Sequence, residues 1–436
     1  NIYGEKYKAV TYGALVTSAE VIDKYDMWDS YTIEGIESAG ASLYVDNVVI
    51  NESKGFVYDR SNQSFEYNVI IDEIAPERQN TEFAVCAYVE YELSGGGTEY
   101  FYDDIQFAVY SDIEFESYNK APSLKCGINI SGDFDNLKKS IEELPGSTSL
   151  SESTYSSAAS AGFDHVRLPL KLAYVTDESG ILDETFMSYV DDAVIMALNN
   201  GLTVVLDFHS FNELMEDVNG NSDLFYSIWE QVAERYKNYP DSVIFELINE
   251  PTPAGEGPDL MSSEKLNKLQ NTAVAKIRAI DSDRIIALTA CPYGGTYAAD
   301  SIVLPEDTSN LIVSLHNYGA MSFTHQGMGY PVGADFQISG SPAEIEAGIR
   351  DASDFSAAHG NIPVWISEFG VYMGGLNSSP DDGFDESDVT EYLDYFTSLC
   401  NESGVGWCVW EYNVGFGIFD ADDNMKDFAA AGLNFR

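Results

Sequence analysis

The sequence predicts an α/β protein, a (β/α)8 TIM barrel preceded by a small all-β domain of the immunoglobulin-like sandwich type. Three observations lead to this fold class. Short strand-like segments with frequent turn residues fill residues 1–118. From residue 119 to residue 436, apolar strands alternate with helical segments, which is typical of βα architecture. Eight apolar strands can be counted in this second part, the number that closes such a barrel.

The first domain is predicted from alternating strands and turn signals. Phe83–Tyr91 alternates in polarity, and a turn at Ser94–Gly97 leads into a further strand at Thr98–Asp103. Earlier strand candidates are Lys8–Val16, Ala41–Ile50 and Ser64–Ile71. Its many tyrosines would suit sugar stacking, but tyrosine is also an ordinary strand residue. We therefore interpret residues 1–118 as an accessory module, either a spacer or a carbohydrate-binding module, joined to the barrel by a linker at Ser117–Pro122.

The barrel is predicted from apolar runs separated by helical segments. The expected strands are Leu124–Ile130, Phe163–Leu168, Thr203–Phe208, Val243–Ile248, Arg284–Ala290, Leu311–Leu315, Pro363–Ile366 and Gly404–Trp410. Helices are expected at Asp183–Leu198, Asp223–Tyr239, Ser263–Ile280 and Ser387–Leu399. One connection, Pro292–Val303, shows poor helical periodicity, so the strand count is least secure beside it.

Charge and cysteine content exclude several classes of function. With 72 acidic against 22 basic residues the formal charge is −50, which repels nucleic acid, anionic lipid and phosphorylated substrates but not a neutral polymer. No apolar run reaches the length of a membrane span, so membrane insertion is not expected. The five cysteines form no metal-binding spacing and are expected to be buried free thiols. Neither a metal nor a cofactor is predicted.

Two glutamates end separate apolar strands. Val243–Pro251 is a nearly continuous apolar run that finishes on Asn249 and Glu250, and Ile362–Gly370 has the same pattern with Glu368. Their spacing corresponds to three βα units, which places them on strands four and seven, facing each other across the barrel mouth. Two carboxyl groups about 5–5.5 Å apart permit retaining cleavage of a glycosidic bond, whereas about 6.5–9.5 Å permits inversion.

Six motifs in order make the chain from about residue 121 onward resemble glycoside hydrolase family 5. These motifs are Gly162–Pro169, Val205–His209, Ile248–Pro251, His316–Tyr318, Ser367–Gly370 and Trp407–Trp410. Each alone is weak, but together they follow the family's order, each at a predicted strand end. The resemblance implies that Glu250 is the catalytic acid/base and Glu368 the nucleophile.

The resemblance also implies roles for the residues around the two glutamates. Arg167 and Tyr318 would hold Glu368 in its ionised form. Asn249 would bind the 2-hydroxyl of the sugar under attack. His209 and His316 would line the cleft, and Trp410 would supply the aromatic floor on which a pyranose stacks. The substrate-binding set is therefore Arg167, His209, Asn249, His316, Tyr318 and Trp410.

Other residues with functional side chains are given structural or open interpretations. Trp365, Trp407, His165 and His359 are expected to be structural. A sugar contact and a purely structural role are equally open for His325 on the loop after strand six. Two departures from the family pattern bear on substrate choice. Ser210 follows His209 where many members have a second histidine, and Cys291–Tyr297 carries tyrosines where members often have a tryptophan.

We expect a secreted, extracellular or cell-surface endo-β-1,4-glucanase of the cellulase type that acts as a monomer with retention. Its partner would be a neutral β-linked polysaccharide or oligosaccharide. The alternatives are the same mechanism on mannan, glucomannan or xyloglucan, and a catalytically inactive barrel that only binds polysaccharide.

Overall fold

The computed structural model describes most of the chain after residue 123 and separate segments before it. The described residues are 7–25, 31–32, 36, 49–52, 57–59, 64–66, 82–93, 98–102, 104–109, 124–135, 147–374 and 385–435. The chain forms two compact units, Asn1–Phe56 with Phe65–Tyr118, and Val57–Ser64 with Asn119–Arg436. The predicted linker, the turn at Ser94–Gly97 and most of Ala41–Ile50 and Ser64–Ile71 lie outside the described residues.

The first unit contains an antiparallel sheet. Its strands lie in the order Val49–Glu52, Tyr7–Ser18, Glu82–Leu93 and Thr98–Tyr102, and Gln106–Val109 also pairs with Glu82–Leu93. The helix Ala19–Tyr25 follows the first strand, and its Ile22 is buried with Leu15 and Tyr88. Outside this sheet, two short strands, Val57–Asp59 and Ser64–Glu66, pair with each other, and Val57–Ser64 is assigned to the second unit. The immunoglobulin-like sandwich and the boundary at residue 118 stay predictions.

The second unit contains the closed parallel barrel that the sequence predicts. Its eight strands, numbered one to eight in chain order, are Cys126–Asn129, His165–Leu170, Thr203–Phe208, Val243–Glu246, Ile286–Thr289, Leu311–His316, Val364–Phe369 and Gly406–Val409. Each pairs with the next, and strand eight closes the ring on strand one with Trp407 opposite Cys126. The expected (β/α)8 barrel is thus confirmed.

Helices surround the barrel. They are Glu152–Ala161, Glu184–Asn199, Asn212–Glu216, Val218–Tyr236, Ser263–Arg278, Met321–Thr324, Ser341–Ala358, Glu386–Ser403 and Asp427–Gly432. Local capping fixes several ends, since the Asp183 side chain accepts from the Phe186 amide and Gly404 takes a left-handed conformation after Ser403. The irregular connection after strand five contains a 3-10 helix, Thr296–Ser301.

Alternation along the strands separates two environments. On strand three, Val204 and Leu206 pack in the large cluster with the helices, while Val205 belongs to an apolar cluster with interior residues of the other strands. That interior cluster consists of Leu124, Val205, Ile244, Ile285, Ala287, Ile312, Trp365 and Cys408. Two residues farther along strands three and four, the interior positions are Asp207 and Glu246. The barrel interior therefore changes from apolar to charged toward the carboxyl ends of its strands.

Two sequence expectations outside the site can be compared with the structure. All five cysteines are buried and none of them forms a disulfide, as expected. Trp365 and Trp407 are buried core residues, and His165 is buried against Trp365. None of the helices in the described part of the chain combines the length and apolar character needed to span a membrane.

Candidate active site

Arg167 on strand two is the centre of the charged layer. Its guanidinium is completely buried and contacts groups from strands one, three, four and seven. Its partners are Glu246 at 2.6 Å, Glu368 at 2.7 Å, Asn249 at 2.8 Å, Asn129 at 2.9 Å and Asp207 at 3.0 Å. All three of its nitrogens donate, so the fork has one orientation.

Glu368 ends strand seven and is held at both oxygens. Arg167 Nη1 donates to Oε1 at 2.7 Å, and the Tyr318 hydroxyl donates to Oε2 at 2.8 Å. Burial alone would raise the pKa of Glu368, but the charges of His316 and Arg167 and the Tyr318 hydrogen bond outweigh it and lower that pKa. The carboxylate is therefore kept ionised in a buried position.

Glu250 lies just beyond strand four in a different environment. Its side chain is 40% exposed, in contrast to 5% for Glu368, and its backbone has a φ of +42°. His316 Nδ1 lies 3.0 Å from Glu250 Oε1 and 3.6 Å from Glu368 Oε2. One oxygen from each of the two carboxylates and the histidine nitrogen all lie within 4.8 Å of one another. In the described part of the chain, no other set of three or more carboxylate, histidine or cysteine groups is close enough to hold a metal ion.

His209 and Trp410 form a stacked pair at the same end of the barrel. Their ring centroids are 5.4 Å apart and their planes differ by 7°. His209 Nδ1 lies 2.7 Å from Asp207 Oδ2. Burial lowers the pKa of His209, but Asp207 and Glu368 raise it to about 9 overall. At neutral pH the ring on Trp410 is thus an imidazolium.

The geometry brings all eight predicted site residues into one contiguous group. Asn249 accepts from Arg167 through Oδ1, so its amide nitrogen remains as a donor for a ligand. The carboxyl ends of parallel barrel strands are where enzymes of this fold carry their sites. Two neighbouring carboxyl groups in different environments, one of them kept ionised, are the arrangement that glycosidases use.

A family model described as cellulase (glycosyl hydrolase family 5) matches residues 136–415, well over half of the chain. The chain belongs to glycoside hydrolase family 5. The relatives of this family 5 chain agree with the assignment. Endoglucanase H of Acetivibrio thermocellus is 27% identical over 267 residues, covering 60% of this chain and 27% of that protein. Endoglucanase 1 of Ruminococcus albus is 31% identical over 175 residues, covering 37% of this chain and 43% of that protein. The chain thus spans less than half the length of these two relatives.

Solved structures match the barrel over almost their whole length. A subunit Z of clostridial cellulose synthase from Clostridioides difficile gives a TM-score of 0.63 at 25% identity, covering 71% of this chain and 99% of that one. Cel5A, an endoglucanase from Thermotoga maritima, gives 0.61 at 26% identity, covering 71% and 97%. The similarity is consistent with a family 5 barrel that occupies most of the second unit.

The family 5 site contains charged residues that the sequence pattern did not identify. Glu246 lies within the apolar run Val243–Pro251 and Asp207 within the motif Val205–His209, and neither pattern assigns these carboxylates a role. The signal for both was a charged residue inside a strand otherwise buried on both faces. Asn129 has no such signal, because asparagine near a strand end is common. It donates to the Ser367 and Val409 carbonyls at 2.9 and 3.2 Å and so joins strand one to strands seven and eight.

Two further residues lie beside the family 5 site. His325 packs edge-on against Tyr318 at 5.1 Å and against Phe416 at 5.5 Å. Burial lowers the pKa of His325, so its ring is neutral at pH 7. Glu411, next to Trp410, is 3% exposed, and burial raises its pKa to about 8. Glu411 is therefore a protonated, neutral acid at neutral pH.

Proposed function

We propose that this chain is an endo-acting, retaining glycoside hydrolase that cleaves β-1,4-linked glucan by double displacement. The observation that carries the proposal is the pair Glu250 and Glu368, with carboxylate oxygens within 4.8 Å of each other. This separation is close to the spacing of about 5–5.5 Å in retaining enzymes and below that of about 6.5–9.5 Å in inverting ones.

In the first step the Glu368 carboxylate attacks the anomeric carbon and forms an ester bond. The glycosidic carbon–oxygen bond breaks, and the leaving oxygen receives the proton of Glu250. In the second step Glu250 takes a proton from water, whose oxygen bonds to the anomeric carbon. The ester bond breaks and Glu368 leaves as a carboxylate.

The environments of the two glutamates support this division of roles. Arg167, His316 and Tyr318 stabilise negative charge on Glu368, as a nucleophile requires. Glu250 is more exposed and contacts His316 at 3.0 Å, which suits a group that gains and loses a proton during each cycle. Asn249, fixed by Arg167, is placed to donate to a sugar hydroxyl beside Glu250.

The substrate is proposed from the charge of the chain and the names of its relatives. A charge of −50 favours a neutral polymer, and the relatives named above are endoglucanases. One structure of Thermotoga maritima Cel5A, with a TM-score of 0.62 and 26% identity, is described as a complex with mannotriose substrate. Mannan, glucomannan or xyloglucan is therefore the second candidate. Because such polymers are too large to enter a cell, we propose that the protein acts outside it. We also propose that it acts as a monomer.

The test compares hydrolysis of soluble β-1,4-glucan, mannan and xyloglucan by the intact chain and by Glu250→Gln and Glu368→Gln. Endo-action predicts that viscosity falls faster than reducing ends accumulate, and retention predicts that NMR detects the β-anomer first. Glu344→Gln, at an exposed helix position, serves as the matched control and should leave both rates unchanged. Binding without cleavage by the intact chain would instead support the inactive polysaccharide-binding barrel.

A further inference from the structure

Asp207 is a completely buried carboxylate that no step of the proposed mechanism uses. It lies in strand three beside Glu246 of strand four, and its Oδ2 atom contacts two cationic side chains. Arg167 Nη2 lies 3.0 Å from this oxygen, and His209 Nδ1 lies 2.7 Å from it. The other oxygen, Oδ1, is buried without a hydrogen-bond partner. A charged oxygen is costly to bury, so its two cationic partners explain its presence.

The contacts of Asp207 connect two parts of the cleft. In one direction Arg167 connects Asp207 to Glu368, since the guanidinium forms an ion pair with each of these two carboxylates. In the other direction His209 lies flat on Trp410. An imidazolium stacked on an indole is held there by the electrostatic attraction between a cation and a ring face. Because His209 covers one face of Trp410, a pyranose must stack on the opposite face.

We propose that Asp207 is a positioning residue that keeps the His209 ring cationic and flat against Trp410 while it fixes the Arg167 fork that holds Glu368. Its position in the barrel interior, two residues before His209 on the same strand face, makes both contacts possible at once. The proposal deepens the proposed function, because it rests on that function for what Trp410 binds.

The charges facing His209 come from four elements. Asp207 lies on strand three, Glu368 on strand seven and Arg167 on strand two, and Glu411 follows strand eight. Glu411 is neutral at pH 7 because burial raises its pKa to about 8, and Arg167 opposes protonation of the ring. Asp207 is therefore the group whose charge and hydrogen bond contribute most to keeping His209 protonated.

The substitution Asp207→Asn keeps the shape of the side chain and removes its negative charge. The amide oxygen replaces Oδ2 and can still accept from His209 Nδ1 beside the Arg167 guanidinium, while the amide nitrogen occupies the position of Oδ1, which has no hydrogen-bond partner to lose. Only the negative charge is removed. Asp164→Asn is the matched control, because Asp164 also bonds a histidine, His165, but at the opposite end of strand two from the site.

The experiment measures His209 by NMR in the full chain. The chain has five histidines and five tryptophans, so labelled imidazole and indole signals are few and are assigned with His209→Gln and Trp410→Phe. We expect His209 to titrate near pH 9 in the wild type, with the Trp410 indole signal following the same midpoint. In Asp207→Asn both midpoints should fall toward about 6.5, the ordinary value for histidine. Asp164→Asn should leave both unchanged.

Hydrolysis supplies the readout that a merely structural role would not give. With a midpoint of about 6.5, the protonated fraction of His209 at about pH 8 is roughly thirtyfold lower than in the wild type. The ratio of wild-type to Asp207→Asn kcat/KM should therefore rise by up to about twentyfold between pH 6 and pH 8. A purely structural defect would lower activity by a constant factor.

Three results would overturn the proposal. They are a wild-type His209 midpoint near 6.5, a midpoint that Asp207→Asn leaves within about half a pH unit, and an activity ratio that does not change with pH. The first needs no variant, so it decides even if Asp207→Asn does not fold. If the intact chain cut no glycan, the proposed function would fail while the two NMR titrations still tested the role of Asp207.

Discussion

Replacing Arg167 by methionine should destabilise the barrel and disable the cleft together. The substitution keeps a long apolar side chain but leaves three carboxylates, on Asp207, Glu246 and Glu368, buried without their shared cation. Breaking a buried ion pair by removing one partner costs about 3–5 kcal/mol. For a domain of this size each kcal/mol lowers the melting temperature by roughly 2–4 °C, so a decrease of about 6–20 °C is expected.

The pH dependence of this loss has a definite sign. In the wild type the pKa of Glu368 is lowered, so its contribution to stability is present above the unfolded-state value of about 4.3 and is lost as pH falls through the lower folded value. In Arg167→Met the buried carboxylates take up protons instead, which removes most of the penalty in acid. The difference in melting temperature should therefore be large at about pH 7 and small at about pH 4.

Thermal unfolding followed by circular dichroism at these two pH values measures the effect, and turnover of β-glucan should fall by at least about 10²-fold. Arg284→Met is the control, since Arg284 is equally buried but donates to backbone carbonyls and Asp281 near the amino ends of the strands. It should lower stability without shifting the pH profile of activity. A melting temperature for Arg167→Met within about 2 °C of the wild type would refute the electrostatic reasoning.

Further predictions concern the site histidine, the site tyrosine and the thiols. His209 has a pKa of about 9 in the folded protein, so its stabilising contribution is full below about pH 6.5 and is lost as pH rises to about 9. Calorimetry should therefore show the free energy of unfolding falling by up to about 3 kcal/mol over that range. Asp207→Asn should abolish most of this fall. Tyr318→Phe removes one hydrogen bond to Glu368 and should lower kcat/KM by about tenfold with little change in melting temperature; an unchanged value would contradict the contact. A thiol reagent should detect no accessible cysteine in the native chain and five after denaturation, and rapid modification before unfolding would contradict the burial.

The strands could be predicted because burial on both faces leaves a clear apolar pattern. Thr203–Phe208 matches the expected bounds, and the other seven strands overlap their predicted runs. The helix predicted to begin at Asp223 begins at Val218 instead. Its first turn, with Asn219 and Gly220, has poor helix propensity, and the Asp217 cap to the Gly220 amide stabilises it. A pattern based on apolar spacing has no access to such a cap.

The sequence predicts the residues at the mouth of the site but not those below them. Residues that follow a strand, such as Glu250 and Tyr318, stand out as polar groups after an apolar run. The layer beneath them is not evident from the sequence, because Asp207 and Glu246 meet Arg167 only once strands two, three and four lie side by side. A linear sequence shows which residues alternate along a strand but not which distant strands complete the ring.

The Asn129 side chain links the first and last strands of the barrel, and the geometry of the site depends on this link. It accepts from Arg167 and donates to the Ser367 and Val409 carbonyls, so it ties the first strand to the last two. During synthesis this set of hydrogen bonds cannot be completed until the strand Gly406–Val409 has emerged and packed into the barrel. Hydrolytic activity therefore depends on closure of the barrel. A fragment ending after strand seven would contain both glutamates but would lack the strand eight contact that completes the geometry of the site.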